Sequence, residues 1–366
     1  MSVGETALGH LPLRAVRFPG KYIQGPGAIR LLGAEAKRFG SRAFCILDRG
    51  IAEALRQKIQ SAFGNQSELS IVTHGGNCTM TEIASLEGHA SKYRSDCIIG
   101  LGGGKALDTS KAVANGLNLP CMVVPTIAAS DAPCSALAII YNEDGSLDRA
   151  MHLARNPDVV IADTNIISAA PARFMAAGIG DGLATCIEAN ACRASGADNT
   201  FGFQGLELAF AIARLCEDTL FEFGARAMAE CREGACGVAT ERVVEANILL
   251  SGLGFESCGV AAAHGIQDGL CELEETHSSL HGEKVAIGIL GELLLQEVES
   301  RTFNKYKSFM EKIGLPTTLR QIGIPSATHD KLHQVALRAC RDGDIIHNEP
   351  MPVTPDMVVR VLRELA

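Results

Sequence analysis

Short apolar runs alternate with amphipathic stripes along the first part of the chain. Residues 43–47, 69–73, 97–101 and 121–124 are largely apolar, and Asp48 closes the first run as Pro125 closes the last. Residues 51–63, 82–93 and 106–117 instead repeat their apolar positions at helical spacing. Brief continuous runs predict buried strands, and a 3.6-residue repeat predicts helices packed on a core. Their alternation predicts parallel βαβ units in a doubly wound sheet. Residues 136–141 and 159–162 flank the turn Asn142-Glu143-Asp144-Gly145 and predict an added hairpin-like element. After about Pro171 the texture changes: residues 172–192, 201–220, 242–253 and 284–298 carry long helical stripes, and few strand candidates remain. The pattern predicts an α/β domain over residues 1–170 and an all-α domain over 171–366.

One junction in this pattern carries candidate chemistry. The third strand runs through Gly100 and Leu101 into Gly102, Gly103, Gly104 and Lys105, and a helix follows. Glycines let backbone N–H groups approach a ligand closely, and a helix N-terminus adds partial positive charge. Together they predict an anion cradle, most simply for a pyrophosphate. Ile99 and Ala106 stand where a P-loop needs Gly and Ser or Thr, so an ATPase reading is poor. Gly100 and Gly102 begin a GxGxxG fingerprint, whose third glycine is replaced by Lys105. In such sheets ligands bind beyond the carboxyl ends of strands, where Asp48, Gly102–Gly104 and Pro125-Thr126 fall. Asp48 would meet the adenosine ribose and repel a 2′-phosphate, favouring NAD over NADP. Alternatively it forms only the turn before Arg49 and Gly50.

Composition narrows the class. A length of 366 residues suits two domains. The net charge of −9 and the absence of a basic run argue against a nucleic-acid partner. Thirteen cysteines include no CxxC pair, which argues against a disulfide framework or a cysteine zinc site and for reduced thiols in a cytoplasmic protein. No signal-peptide core and no apolar stretch of membrane-spanning length is present, so no membrane partner is expected.

Three places in the helical half set ligand-type groups within small, apolar sequence: Asp181 among glycines, His264 after three alanines, and His277 and His281 in THSSLHGEK. A buried Asp needs a partner or a metal, and neutral His is a common metal ligand. One Asp and two His suit a catalytic zinc with an open fourth position. Spacing alone leaves the ligand set open. His277 and His281 share a helix face, Asp181 could be an N-cap, and His264 could simply hydrogen-bond within a core.

GGGKALD at 102–108, VPTIAASDAPCSALAIIY at 124–141, PARFMAAGIGDGLATCIEA at 171–189, EANILLSGLGFESCGVAAAHGIQDGL at 245–270, THSSLHGEKVAIG at 276–288 and GDIIHNEPMPVTPD at 343–356 together resemble the glycerol dehydrogenases. These belong to the iron-type, or group III, alcohol dehydrogenases, whose fold is dehydroquinate synthase-like. The resemblance covers almost all of the chain after about residue 18. It implies an active-site cleft between the two domains and zinc on Asp181, His264 and His281, with His277 a neighbour. It implies NAD over Gly102–Gly104, with Lys105 and Asp108 shaping the turn and Thr126, Ser130, Ser135, Leu137 and Tyr141 lining the cofactor cleft. It places Asp131 against a substrate diol. It also implies a ring-like homo-oligomer, such as an octamer. The expected activity is NAD-dependent oxidation of glycerol to dihydroxyacetone. The rivals are another small diol, an amino alcohol, or a phosphorylated polyol such as glycerol 1-phosphate. A phosphate would need a basic cluster, and none is evident near Asp131, Asp181, His264 or His281.

The chain departs from the family pattern at several positions. Thr185 stands where iron-binding relatives carry a His four residues after the metal Asp, which favours three ligands and zinc. Ala129-Ser130 replaces Ser-Thr, Gln267 and Asp268 replace His and Asn, and Cys186-Ile187 replaces Trp-Phe.

Overall fold

The computed structural model describes residues 12–64 and 67–366. Its first half is a sheet built from β1 (Tyr22–Gly25), β2 (Arg42–Asp48), β3 (Glu68–His74), β4 (Cys97–Gly102), β5 (Cys121–Pro125) and, later in the chain, Val159–Asp163. Helices α1 (Leu32–Lys37), α2 (Ala52–Phe63), α3 (Met80–Tyr93) and α4 (Gly104–Leu117) fill the connections. A separate antiparallel ribbon pairs β6 (Leu137–Tyr141) with β7 (Leu147–His152), so Val159–Asp163 is β8. The main sheet runs β1-β8-β5-β4-β2-β3, all parallel.

Both faces of this sheet are covered, which is why its strands read as continuous apolar runs. Side chains alternate between faces. Cys45, Leu47, Ile99, Leu101, Met122 and Val124 pack with Leu32, Leu55 and Ile59 on one side. Phe44, Ile46, Ile98 and Val123 pack on the other, in a core that continues into the helical half. The chain goes outward from β2 to β3, then returns to place β4 on the far side of β2. That reversal makes a crevice at the carboxyl ends of β2 and β4, the place where doubly wound sheets bind dinucleotides.

One expectation needs correction here. Residues 159–162 do not form the hairpin partner of 136–141. All five residues of β8 are buried, and β8 sits between β1 and β5 within the main sheet. The exposed, polar β7 takes the ribbon position instead, and a surface ribbon needs no apolar outer face. The edge strand β1 was not evident, because its four half-buried residues carry no alternation long enough to read.

The second half is helical: α5 (Thr164–Ser168) links to α6 (Ala172–Ser195), α7 (Glu207–Arg232), α8 (Val238–Glu245), α9 (Ser251–Cys258), α10 (Ala262–Leu270), α11 (His281–Leu295), α12 (Ser300–Ile313), α13 (His329–Ala339) and α14 (Pro355–Glu364). The expected 201–220 helix starts later, at Glu207, and runs on to Arg232. Helices α8 and α9 are one rod joined by a π-helical segment, Ala246–Leu250, and the chain bends by 102° before α10. Such wide turns often accompany functional sites. Among the described residues no single helix is long and apolar enough to cross a membrane.

Candidate active site and metal centre

Three helices bring Asp181, His264 and His281 together. Asp181 lies mid-way along α6, in a stretch buried from Met175 to Ala189. His264 is in the first turn of α10, and His281 opens α11. The backbones meet closely: a Cβ on Gly282 would lie 1.8 Å from the carbonyl oxygen of Ala177, so only glycine lets the start of α11 rest on α6. Asp181 Oδ1 is 3.1 Å from His281 Nε2 and 3.4 Å from His264 Nε2. One ligand atom from each residue falls within 4.8 Å of the others. The carboxylate is buried, whereas the His281 side chain is 42% exposed, so the group is closed below and open on one side.

Burial by itself would raise the Asp181 carboxyl, but His281 and His264 outweigh it and hold the group well below the usual carboxylate range. Burial by itself would lower His264. The Glu188 and Asp181 carboxylates overcome this and push it well above the ordinary imidazole value. A buried carboxylate facing two imidazoles needs positive charge between them. Protons can supply it, and so can a divalent cation. Two nitrogens, one carboxylate oxygen and an open side fit a catalytic zinc. The exposed His277 lies outside this group, with Nε2 3.2 Å from the carbonyl oxygen of Cys271.

Asp131 joins this group to the sheet. It precedes a short 3₁₀ turn, Ala132–Cys134, and its backbone N–H donates to Asp181 Oδ2 at 3.2 Å. Ser251 Oγ donates to Asp131 Oδ2 at 2.7 Å and lies 2.9 Å from Thr185 Oγ1. Burial and the charge of Asp181 raise the Asp131 carboxyl well above its usual value. Ser251 is the first residue of α9, so this contact ties the Asp131 loop to the helical half.

The glycine turn lies at the crevice between β2 and β4. Gly102 has φ +153°, and a Cβ there would fall 2.6 Å from Asp48 Cβ and 2.9 Å from Ala106 Cβ, so the position requires glycine. Asp48 Oδ1 accepts from Gly50 N at 2.8 Å, so the residue caps its own turn beside Gly102. Gly103 caps α4 and Gly104 begins it, with Ser130 Oγ across from Gly104. Thr126 N donates to Gly102 O at 3.1 Å, tying the end of β5 to the turn. Lys105 Nζ donates to Asn77 Oδ1 at 2.7 Å and lies 4.8 Å from the centre of the Tyr141 ring.

Asp108 does not shape the glycine turn directly. It is buried one helical turn further on, paired with Lys111 at 2.9 Å, and it accepts from Ile139 N at 3.0 Å. Lys111 Nζ donates to the carbonyl oxygens of Ala132 at 2.8 Å, Ser135 at 3.4 Å and Leu137. Ser135 and Leu137 therefore present their carbonyls to α4, and Ser135 Oγ turns back to Ala132 O at 3.3 Å. This buried pair fastens the 131–139 segment to α4. Sequence reasoning passed over Lys111, Glu188 and Ser251. Their shared signal is a polar residue at a core-facing helical position, as Glu188 is between Ile187 and Ala189.

A family profile described as iron-containing alcohol dehydrogenase matches residues 19–164. The chain is 48% identical to a glycerol dehydrogenase of Thermotoga maritima over 347 residues, covering 94% of this chain and 95% of that one. It is 42% identical to a glycerol dehydrogenase of Escherichia coli over 350 residues, 95% of each chain. A probable glycerol dehydrogenase structure from Sinorhizobium meliloti superposes with a TM-score of 0.92 at 42% identity, covering 96% of this chain and 98% of that one. The chain belongs to the iron-containing alcohol dehydrogenase family.

The departures from the family pattern divide by location. Thr185 is buried beside Ser251, in contact with the Asp131 network. Gln267, one turn along α10 from His264, donates to Cys271 Sγ at 2.9 Å, and Lys284 Nζ, one turn along α11 from His281, lies 3.0 Å from the same sulfur. Asp268 faces Arg338 at 3.6 Å. Cys186 packs away from this group, in a small apolar cluster with Ala189, Ala209, Ala213 and Cys258.

Proposed function

We propose that this member of the family oxidises glycerol and related vicinal diols at the secondary carbon, giving dihydroxyacetone from glycerol, with NAD as the hydride acceptor. The observation that carries this reading is the bond from Asp131 N–H to Asp181 Oδ2, which links the loop beyond the dinucleotide crevice to the Asp181–His264–His281 group. The names of the full-length relatives support the substrate. Asp181, His264 and His281 would hold the metal, and three such ligands favour zinc. When bound, zinc supplies Lewis acidity that lowers the pKa of a hydroxyl, and the nicotinamide supplies the hydride acceptor.

The chain's own residues do the rest. Gly102–Gly104 give N–H groups to the pyrophosphate, and Asp48 faces the ribose. Thr126, Ser130, Ser135, Leu137 and Tyr141 line the cofactor cleft, with Lys105 and Asp108 supporting it. Ser251 fixes Asp131 through Oδ2, which makes Oδ1 the oxygen for a diol hydroxyl. The exposed edge of His281 faces the same opening. The thirteen free thiols support a reducing, cytoplasmic setting. A homo-oligomer belongs to this reading through the family resemblance. The small polyol is the partner in this reading, with no role for nucleic acid or membrane.

Steady-state kinetics with glycerol tests this, using NAD and NADP in parallel. Wild type should reduce NAD with a kcat/KM at least about tenfold above NADP, since the Asp48 carboxylate disfavours a 2′-phosphate. Asp131→Asn keeps the side-chain size but replaces one carboxyl oxygen with an amide N–H₂ group that cannot accept from the diol, and kcat/KM should fall by about tenfold, or ~1.4 kcal/mol. No glycerol-dependent NAD reduction, or normal kinetics in the variant, would refute the respective assignment.

A further inference from the structure

The N-terminus of α10 is held by side chains from outside the helix. The first backbone N–H groups of a helix have no partner within it, and Ala261 gives α10 no side-chain cap. Three buried carboxylates supply the acceptors. Glu188 Oε1, from α6, accepts from Ala261 N at 2.8 Å and from His264 N at 2.9 Å. Glu349 Oε1 accepts from Ala262 N at 3.3 Å. Glu292 Oε2, from α11, accepts from Ala263 N at 2.8 Å. Gln296 Nε2 ties the last two together, donating to each at 3.0 Å. The three glutamates are buried, and the positive end of the helix favours them.

Glu188 differs from its companions in one contact. Its second oxygen, Oε2, is 2.6 Å from His264 Nδ1, while Oε1 takes the backbone N–H of the same residue. A single carboxylate thus fixes both the main chain and the ring of His264. With Nδ1 engaged by Glu188, Nε2 is the nitrogen left to face Asp181, where a bound cation would take its lone pair. Glu292 and Glu349 reach neighbouring backbone, Gln296 and each other, and none of these contacts is to the His264 ring.

We propose that Glu188 is a positioning residue for the metal centre. It selects the His264 tautomer whose Nε2 binds the ion and holds the ring in place, whereas Glu292 and Glu349 anchor only the helix end. This rests on Asp181, His264 and His281 holding the metal.

The test is zinc affinity in the full-length protein, measured by competition with a chromophoric chelator, together with the visible spectrum of the cobalt-substituted protein. Glu188→Gln keeps the side-chain volume but removes the charge and offers His264 Nδ1 a poorer acceptor. Its zinc Kd should rise by about 10–100-fold, the range found when such supporting partners are lost, and its cobalt spectrum should shift. Glu292→Gln, in the same clamp, should leave zinc Kd within about twofold and the cobalt spectrum unchanged. Unaltered zinc binding in Glu188→Gln would overturn the proposal. So would an equal loss in Glu292→Gln, which would mean that only the helix end matters. Should Glu188→Gln fail to fold, Glu188→Asp keeps the charge but withdraws it from the ring, and undiminished affinity there would overturn the proposal as well. Failure of the underlying reading looks different: His281→Ala would then bind zinc as wild type does.

Discussion

His281→Ala is expected to lose zinc and to lower kcat/KM for glycerol by at least about 10³-fold, or ~4 kcal/mol of transition-state stabilisation. His281 supplies one of two imidazole nitrogens to the group around Asp181, and it lies on the open side where substrate must enter. Its removal leaves an incomplete donor set and a buried carboxylate with one imidazole neighbour. His277→Ala should keep zinc content and kinetics close to wild type, because its ring is exposed and bonds only to a main-chain carbonyl. Metal analysis of the two variants side by side reads this directly. The opposite pattern, with zinc lost from His277→Ala and kept by His281→Ala, would assign the ligand to the wrong residue.

Lys111→Met should destabilise the protein by about 3–5 kcal/mol, as expected when one partner of a buried ion pair is removed. The Lys111 and Asp108 side chains are almost fully buried, so the variant strands the Asp108 carboxylate without its cation. It also leaves the carbonyls of Ala132, Ser135 and Leu137 without their donor. Asp108→Asn combined with Lys111→Met removes the stranded charge and should recover part of the loss, a coupling visible only for groups in contact. Urea unfolding of the wild type, the two single variants and the double variant measures all four corners. A Lys111→Met loss below about 1 kcal/mol would mean that water or a moved loop solvates Asp108. Because the pair fastens the 131–139 segment, KM for NAD should rise in the same variant.

These two variants also mark where the sequence is readable. The strands 97–101 and 121–124 and the glycine turn follow from local pattern, since a sheet covered on both faces needs unbroken apolar runs. The ribbon was misread for the same reason: an apolar run after a tight turn looks like a hairpin partner, and only the sheet's long-range pairing sends Val159–Asp163 to β5 and β1. Spacing suggested that a metal was possible but left Asp181, His264, His277 and His281 undecided. The three that converge are far apart in sequence, and what joins them is the packing of α6, α10 and α11. Asp108 was placed in the right region with the wrong contacts, because its partner Lys111 reads as an ordinary i, i+3 surface pair until the helix is seen to be buried. Glu188 and Glu292 gave only the weak signal of a polar residue among apolar helical neighbours, and Glu349 gave none. Each becomes intelligible only beside the unpaired N–H groups of α10.

In the proposed function, a zinc ion on Asp181, His264 and His281 is required for glycerol-dependent NAD reduction. Chelator-stripped enzyme, titrated with zinc while activity and bound metal are followed together, tests it most directly. Negligible activity is expected in the stripped protein, with recovery that saturates at one zinc per chain and no recovery in His281→Ala. Full glycerol-dependent NAD reduction by the metal-free protein would contradict it.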